Sequence, residues 1–193
     1  MITAVVPLKD LSQAKSRLAA ALTPEERAAV AVRLAERTVS VLRASGVVRT
    51  IVLAGPDPGL ARRFGVDWYP DRGSLNATLR EAAGRISGAM LIVTADLPLL
   101  TTADVQALAA EGSGRSVTVG AAADGGTAAL VLRPPDVIAP HFGERSAAHH
   151  IWLAERAGVP VRVLHRPGLA RDLDTPADLA ELGSVVPLIE RGV

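Results

Sequence analysis

The sequence predicts an α/β protein, a three-layer α/β/α sandwich on a mainly parallel sheet. Short apolar runs alternate along the chain with longer stretches of helical periodicity, the pattern of strands joined by crossover helices. The helical stretches open on capping signals: Thr23-Pro24-Glu25-Glu26, Thr101-Thr102-Ala103-Asp104 and Thr175-Pro176-Ala177-Asp178. Leu91-Ile92-Val93-Thr94-Ala95 is a short run without polar alternation, as a strand buried on both faces requires, and it ends in the carboxylate of Asp96 before Pro98 stops the extended segment. With right-handed crossovers, residues 1–193 are expected to fold as one domain, since nothing repeats and no linker divides the chain.

Composition narrows the classes of function. Hydrophobic residues make up 49% of the 193, yet no apolar stretch approaches the length that crosses a bilayer. The chain opens directly into an apolar run with no basic segment before it, so no export signal is expected. The absence of cysteine excludes a disulfide framework, a thiolate metal site and a thiol nucleophile. These features point to a cytoplasmic protein with no membrane partner. A formal net charge of +1 and an aromatic content of 3% argue against nucleic acid as a partner, by charge and by base stacking alike. A homodimer is compatible with the chain, although no apolar surface stripe marks an interface.

Taken in order, Ile2 to Val6 reads as the first strand, ended by Pro7. The polar loop that follows carries Lys9, Lys15 and Arg17 immediately beyond a strand end, which suits a polyphosphate, and equally a solvated basic loop. It contains no glycine, so it is neither a dinucleotide fingerprint nor a P-loop. The helix capped by Thr23 places Val30, Leu34, Thr38 and Val41 on one face and most of Arg27, Arg33, Glu36, Arg37 and Arg43 elsewhere, a solvated side, and Gly46 ends it. Thr50 to Ala54 is a strand, Gly55 to Gly59 a turn, Leu60 to Phe64 a short helix and Val66 to Tyr69 a short strand. The loop Pro70 to Asn76 leads into a helix that runs to about Ile86. Asn76 is placed to give an amide donor to a ligand or to cap locally.

Beyond Asp96, a helix starts at Thr101. Ser116 to Gly120 and Ala128 to Leu132 read as strands joined through Asp124-Gly125-Gly126-Thr127. The paired glycines let backbone approach a ligand closely, and they fit a plain hairpin turn as well. Gly143 and Ser146 precede a helix over about Ala147 to Ala157, where a helix N-terminus can hold an anion or where Ser146 can simply cap. His149, His150 and His165 lack metal-ligand spacing and read as surface or packing residues. Val159 to Leu164 is the last strand. In Arg171-Asp172-Leu173-Asp174, the two carboxylates alternate across an extended segment, so one can face a crevice while the other braces the turn.

A chemical logic joins these segments. In open α/β sheets ligands bind beyond the carboxyl ends of the strands. A carboxylate there, such as Asp96, can hold a divalent cation against a phosphate, or merely cap a turn. Nucleotidyl transfer needs a cation on the phosphates, lysine or arginine on the leaving pyrophosphate, and an acceptor held in line. Two carboxylates from separate loops can grip Mg²⁺ ions that clamp a nucleoside triphosphate.

The ordered set Pro7-Leu8-Lys9, Ala14-Lys15-Ser16-Arg17-Leu18, Leu75-Asn76-Ala77, Ala95-Asp96-Leu97-Pro98-Leu99-Leu100, Gly126-Thr127, Phe142-Gly143-x-x-Ser146 and Asp172-Leu173-Asp174-Thr175-Pro176 resembles the 2-phospho-L-lactate or phosphoenolpyruvate guanylyltransferases of coenzyme F-420 biosynthesis over nearly the whole chain. More broadly it is similar to nucleotidyltransferases of glycosyltransferase-A-like fold. The resemblance implies that GTP and a phosphorylated three-carbon acid are the substrates, with a guanosine diphospho-acid and pyrophosphate as products. It implies Thr127, Gly143 and Ser146 on the acid, Asp96 and Asp172 on Mg²⁺, and Lys15 on the triphosphate. Pro7, Lys9, Arg17 and Asn76 fall in the nucleotide-binding segments, and Asp174 ranks below them as a helper. A molybdopterin or sugar-phosphate nucleotidyltransferase of the same fold is the alternative, but that group opens Leu-Ala-Gly-Gly where this chain has Pro7-Leu8-Lys9-Asp10. The family commonly has Asn or Thr after the glycine-threonine pair, and Ala128 replaces it here. The loss of a polar side chain suits phosphoenolpyruvate over a hydroxylated acid.

Overall fold

The computed structural model describes residues 1–110 and 114–182. One sheet of seven strands runs in the order β3-β2-β1-β4-β6-β5-β7. Its strands are β1 (Ile2–Pro7), β2 (Thr50–Gly55), β3 (Asp67–Pro70), β4 (Ala89–Val93), β5 (Ser116–Ala121), β6 (Thr127–Arg133) and β7 (Val161–Leu164). The pairs β1–β2, β1–β4, β2–β3 and β5–β7 are parallel. Strand β6 runs antiparallel to both β4 and β5. The mainly parallel sheet expected from the alternation is therefore present with one reversed strand. The short connection Ala122 to Gly126 makes a hairpin where a crossover helix would be needed for a parallel return.

The sequence of strands leaves β1 toward β2 and β3, then resumes with β4 on β1's other side. A crevice opens where the direction reverses, outside the carboxyl ends of β1 and β4. Because β6 is reversed, its first residue, Thr127, reaches that same edge. Thr94 N–H bonds the Ala128 carbonyl at 3.0 Å, which puts the start of β6 beside the end of β4.

Helices cover both faces. Helix α1 (Pro24–Ala44) has the full capping box, with Glu26 N–H on Thr23 Oγ1 and Thr23 N–H on the Glu26 carboxylate. It lies with α2 (Pro58–Phe64) and α4 (Thr102–Ala109) on one face, around Val6, Leu53, Leu91, Val93 and Val131. The other face carries α3 (Leu75–Ala83) and α5 (Ser146–Arg156), around Val5, Ile92, Val119, Leu130 and Leu132. Ala89 to Val93 are all buried, as a strand covered on both sides must be. Two short helices, α6 (Pro167–Ala170) and α7 (Pro176–Leu182), complete the described chain. At four residues, α6 is too short to show a helical periodicity.

Three contacts fix the loops at the carboxyl edge. Arg37, expected on the solvated side of α1, instead donates to the carbonyls of Pro98 at 2.8 Å and Leu100 at 3.4 Å, and so clamps the loop after β4. At the end of β2, a Cβ on Gly55 would lie 2.3 Å from the Leu8 carbonyl oxygen, so only glycine lets the basic loop pass. Asp104, nearly fully buried, caps α4 through Thr101 and also pairs with Arg166 at the start of α6.

Candidate active site

The basic loop is not extended. It makes two 3₁₀ turns, Leu11–Gln13 and Ser16–Leu18, with Lys15 between them in the left-handed region at φ 51°. A non-glycine residue held there costs roughly 1–2 kcal/mol, so the surroundings must enforce it. They do so from below. Leu18 joins Val30, Leu34, Leu173 and Leu182 in a small cluster apart from the main core, and both Leu18 and Leu173 are fully buried. Burying each contributes about 1.5–3 kcal/mol. The cluster fastens the loop of Lys15 to the segment of Asp172 and Asp174, two stretches far apart in sequence.

That segment is fastened to Asp96 as well. Leu173 N–H donates to the Asp96 carbonyl at 3.0 Å. Downstream, Asp178 accepts from Thr175 N–H at 2.8 Å and from Arg171 at 3.0 Å, which ends the segment in a capped turn. Burial opposes its ionisation. The hydrogen bonds of Thr175 and Arg171 outweigh it and bring the Asp178 pKa down to about 2.

On this scaffold, Lys15 Nζ lies 2.9 Å from Asp96 Oδ2 and 3.6 Å from Asp174 Oδ1. Its side chain keeps only 9% of its surface exposed, so the pairing is more than a surface ion pair. Arg17, largely exposed, reaches Asp174 at 3.0 Å. Asp172 completes the group from the rim. Desolvation of its carboxyl raises its pKa, the negative charges of Asp96 and Asp174 raise it further, and Lys15 opposes them. Lys15 and Arg17 between them leave one surplus negative charge on Asp96, Asp172 and Asp174, and that surplus calls for another cation. Among the described residues no three His, Asp or Glu side chains form a closed metal cage. Two carboxylates with the remaining positions left to phosphate and water suit a hard divalent ion of the Mg²⁺ type.

A cleft of about 420 Å³ opens at this point. It is lined by Pro7, Lys9, Lys15 and Arg17 from the first loop, by Asp71, Leu75 and Thr78 from the far side, and by Thr94, Asp96 and Asp174. The volume falls within the usual range for a small-molecule site. Sequence reasoning missed Asp71 and Thr78. They bond each other at 2.9 Å, and a single Asp-to-Thr spacing carries no signal by itself.

The remaining expected residues form a separate knot beside the cleft. Asn76 turns its carboxamide to the chain: Nδ2 donates to the Phe142 carbonyl at 3.0 Å and Oδ1 accepts Phe142 N–H at 2.7 Å. Its amide therefore holds the loop of Gly143 rather than facing the cleft. Ser146 is the first residue of α5, not its cap. That position belongs to Arg145, which is in the left-handed region at φ 52° with no capping bond. The first N–H groups of α5 are partly taken, Ser146 N–H by the Gly143 carbonyl at 3.2 Å and Ala147 N–H by the Gly125 carbonyl at 3.3 Å. An open anion nest is reduced accordingly. The glycine turn before Thr127 serves this chain-to-chain contact. Ser146 Oγ, 1% exposed, instead donates to Thr127 Oγ1 at 3.0 Å. His150, expected to be a surface or packing residue, is fully buried and stands 3.0 Å from Thr127 Oγ1. The four-residue spacing from Ser146, which puts both on one face of a helix, was its available signal.

A sheet with its switch point between β1 and β4, and a lysine among carboxylates at that point, define a protein of the nucleotidyltransferase class. The same overall plan is found in a chain assigned as a nucleotide-diphospho-sugar transferase from Desulfovibrio desulfuricans G20, with a TM-score of 0.79 over 95% of this chain and 87% of that one at 17% identity. Sequence comparison is more specific. The family described as CofC-like guanylyl transferases matches residues 2–184, and the chain belongs to that family. The phosphoenolpyruvate guanylyltransferase of Sphaerobacter thermophilus is 42% identical over 96% of this chain and 94% of its own length. The phosphoenolpyruvate guanylyltransferase of Rubrobacter xylanophilus is 43% identical over 94% and 93%. Among the described residues no helix is long and apolar enough to cross a membrane.

Proposed function

We propose that this chain, acting as one catalytic domain, transfers GMP from GTP to phosphoenolpyruvate and releases pyrophosphate. The observation that carries the reading is Lys15 held 2.9 Å from Asp96 and 3.6 Å from Asp174, in a cleft open to a triphosphate. The names of the 42–43% identical relatives support phosphoenolpyruvate as the acid.

In this reaction a phosphate oxygen of the acid attacks the α-phosphorus of GTP. The bond from that phosphorus to the bridging oxygen breaks, and pyrophosphate departs with the electron pair. The attacking oxygen is already anionic, so no general base is required. Lys15 and Arg17 meet the charge that grows on the departing pyrophosphate. Asp96 and Asp172 would hold Mg²⁺, whose positive charge lowers the repulsion between the two anionic substrates. The loop of Pro7 and Lys9 takes the nucleotide, while Thr127, Gly143 and Ser146 take the acid, with Asn76 fixing the backbone on which Gly143 sits. Both substrates are metabolites of the cytoplasm, where we place the enzyme, and the product is an activated acid suited to building the side chain of coenzyme F-420.

The test is pyrophosphate release from GTP and Mg²⁺ with phosphoenolpyruvate, 2-phospho-L-lactate or 3-phospho-D-glycerate as acceptor. Turnover greatest with phosphoenolpyruvate is expected. No release with any of the three would reject the proposal.

A further inference from the structure

We propose that His150 is a positioning residue for the acceptor: it fixes the hydroxyls of Thr127 and Ser146 so that one hydroxyl proton is presented to the bound phospho-acid. This rests on the assignment of the acid to Thr127 and Ser146.

His150 Nε2 lies 2.9 Å from the backbone nitrogen of His141, and a backbone N–H can only donate. Nε2 is therefore the acceptor, and in the neutral ring Nδ1 carries the hydrogen. Nδ1 lies 3.0 Å from Thr127 Oγ1, so the imidazole donates to the threonine. Thr127 and Ser146 share one further hydrogen bond, at 3.0 Å. Their two hydroxyl protons thus include one used between them and one with no partner among the described residues. Thr127 Oγ1, already accepting from the imidazole and from Ser146, keeps its own proton for a further acceptor.

The surroundings make this arrangement rigid. His150, Ser146 and Thr127 are 0%, 1% and 6% exposed, and the Phe142 ring packs edge-on against His150 with centroids 5.4 Å apart. A buried hydroxyl pair without the histidine could redirect its protons freely. With the histidine, both acceptor positions of Thr127 Oγ1 are filled, and the proton kept for a further acceptor sits on the first residue of β6, at the carboxyl edge of the sheet. Its partner must be an acceptor, a part that the carboxylate or the phosphate of the acid can play.

Two substitutions separate positioning from simple packing, because each keeps one ring nitrogen's role. His150→Asn places an amide N–H near the Nδ1 position and keeps the bond to Thr127. His150→Gln keeps an acceptor near the Nε2 position for the His141 N–H and loses the donor to Thr127. Positioning predicts that His150→Gln raises the KM for phosphoenolpyruvate by roughly tenfold, as for loss of one ordered hydrogen bond. The KM for GTP should stay unchanged, and His150→Asn should restore the acceptor KM. The reverse order, or an equal effect on both substrates, would overturn the proposal. The imidazole ¹⁵N shifts of the free protein, assigned by loss of the signal in either variant, are read independently of substrate. A hydrogen on Nδ1 supports the relay and a hydrogen on Nε2 overturns it. If the wild type fails to turn over phosphoenolpyruvate, the substrate reading fails, while the ¹⁵N result still decides the relay.

Discussion

The backbone N–H of Leu173 donates to the carbonyl of Asp96 at 3.0 Å. One hydrogen bond therefore joins the loop after β4 to the segment before α7, and the side chains on either side of it form the acidic group around Lys15. The bond fixes backbone to backbone, so the carboxylates are free to meet a ligand without first paying the entropy of ordering their loops.

Replacing Asp96 with Asn tests the acidic group directly. The substitution keeps shape and removes charge. Lys15 would still lie 3.6 Å from Asp174, so the fold should hold. The rate of pyrophosphate release should fall by about a hundredfold or more, as for loss of a preorganised electrostatic contact. The Mg²⁺ concentration for half-maximal rate should rise at the same time. A variant whose rate and metal requirement match the wild type would remove Asp96 from the reaction.

Leu173 tests the support beneath it. Its side chain is fully buried against Leu18, Val30, Leu34 and Leu182. Leu173→Ala should cost about 2–5 kcal/mol in denaturant unfolding, as large-to-small core changes do. Because the cluster holds both the Lys15 loop and the Asp172 segment, kcat should also drop in the folded variant, at a temperature where its circular dichroism is native. Full kcat there, despite lost stability, would show that the cluster serves the fold alone.

Gly168 offers a test from the other side of the segment. A Cβ at this position would meet Asp104 Oδ2 at 2.0 Å and the Leu99 carbonyl oxygen at 2.9 Å. Asp104 cannot retreat easily, since it is 2% exposed and bonded to Thr101 and Arg166. Gly168→Ala should therefore destabilise the protein by about 1–3 kcal/mol, the range for overpacking. Differential scanning calorimetry would register it as a lowered Tm. An unchanged Tm would mean that α6 shifts at no cost.

Much of this architecture can be read from the chain, and the exceptions have physical reasons. Capping boxes at Thr23 and Thr101 are local, so the sequence alone locates the starts of α1 and α4. The buried strand β4 is legible because both faces demand apolar residues. The reversal of β6 is legible only in part: the glycine turn before Thr127 permits a hairpin with β5, but nothing in Ala128 to Leu132 shows that β6 also pairs with β4. The left-handed Lys15 is equally hidden, as the cluster under Leu18 enforces it from residues far along the chain. His150 shows the same limit at the candidate site. Its type and spacing permit a surface role, and only the return of Thr127 along β6 supplies the partner that makes it part of a relay. The clamp made by Arg37 is hidden for a similar reason: its helical face has the composition of a solvated side, but the loop after Asp96 folds back over it.

His150 also gives the stability of the protein a pH dependence with a definite sign. Burial drives its pKa down to about 4, and electrostatic repulsion from the neighbouring imidazoles of His149 and His141 adds to the effect. In the unfolded chain the imidazole titrates near its ordinary value of about 6.5. Between those values the unfolded state binds a proton that the native state refuses, so the free energy of unfolding rises with pH. The contribution is fully present above about 6.5 and is lost as the pH falls toward 4, and a shift of this size corresponds to roughly 3 kcal/mol. Asp172 acts in the opposite sense, since its raised pKa means that the native state holds its proton longer as pH climbs through the acid range. Asp178, brought down to about 2, loses its contribution only as the pH falls below its ordinary value of 3.8. Urea unfolding of the wild type and of His150→Gln, measured from pH 4.5 to 7.5, separates the three, because Asp172 and Asp178 are common to both proteins and cancel in the difference. The difference in stability should grow in favour of the wild type as pH rises to about 6.5 and then level off. A difference independent of pH would mean that the native protein accepts a proton on His150 as readily as the unfolded chain does.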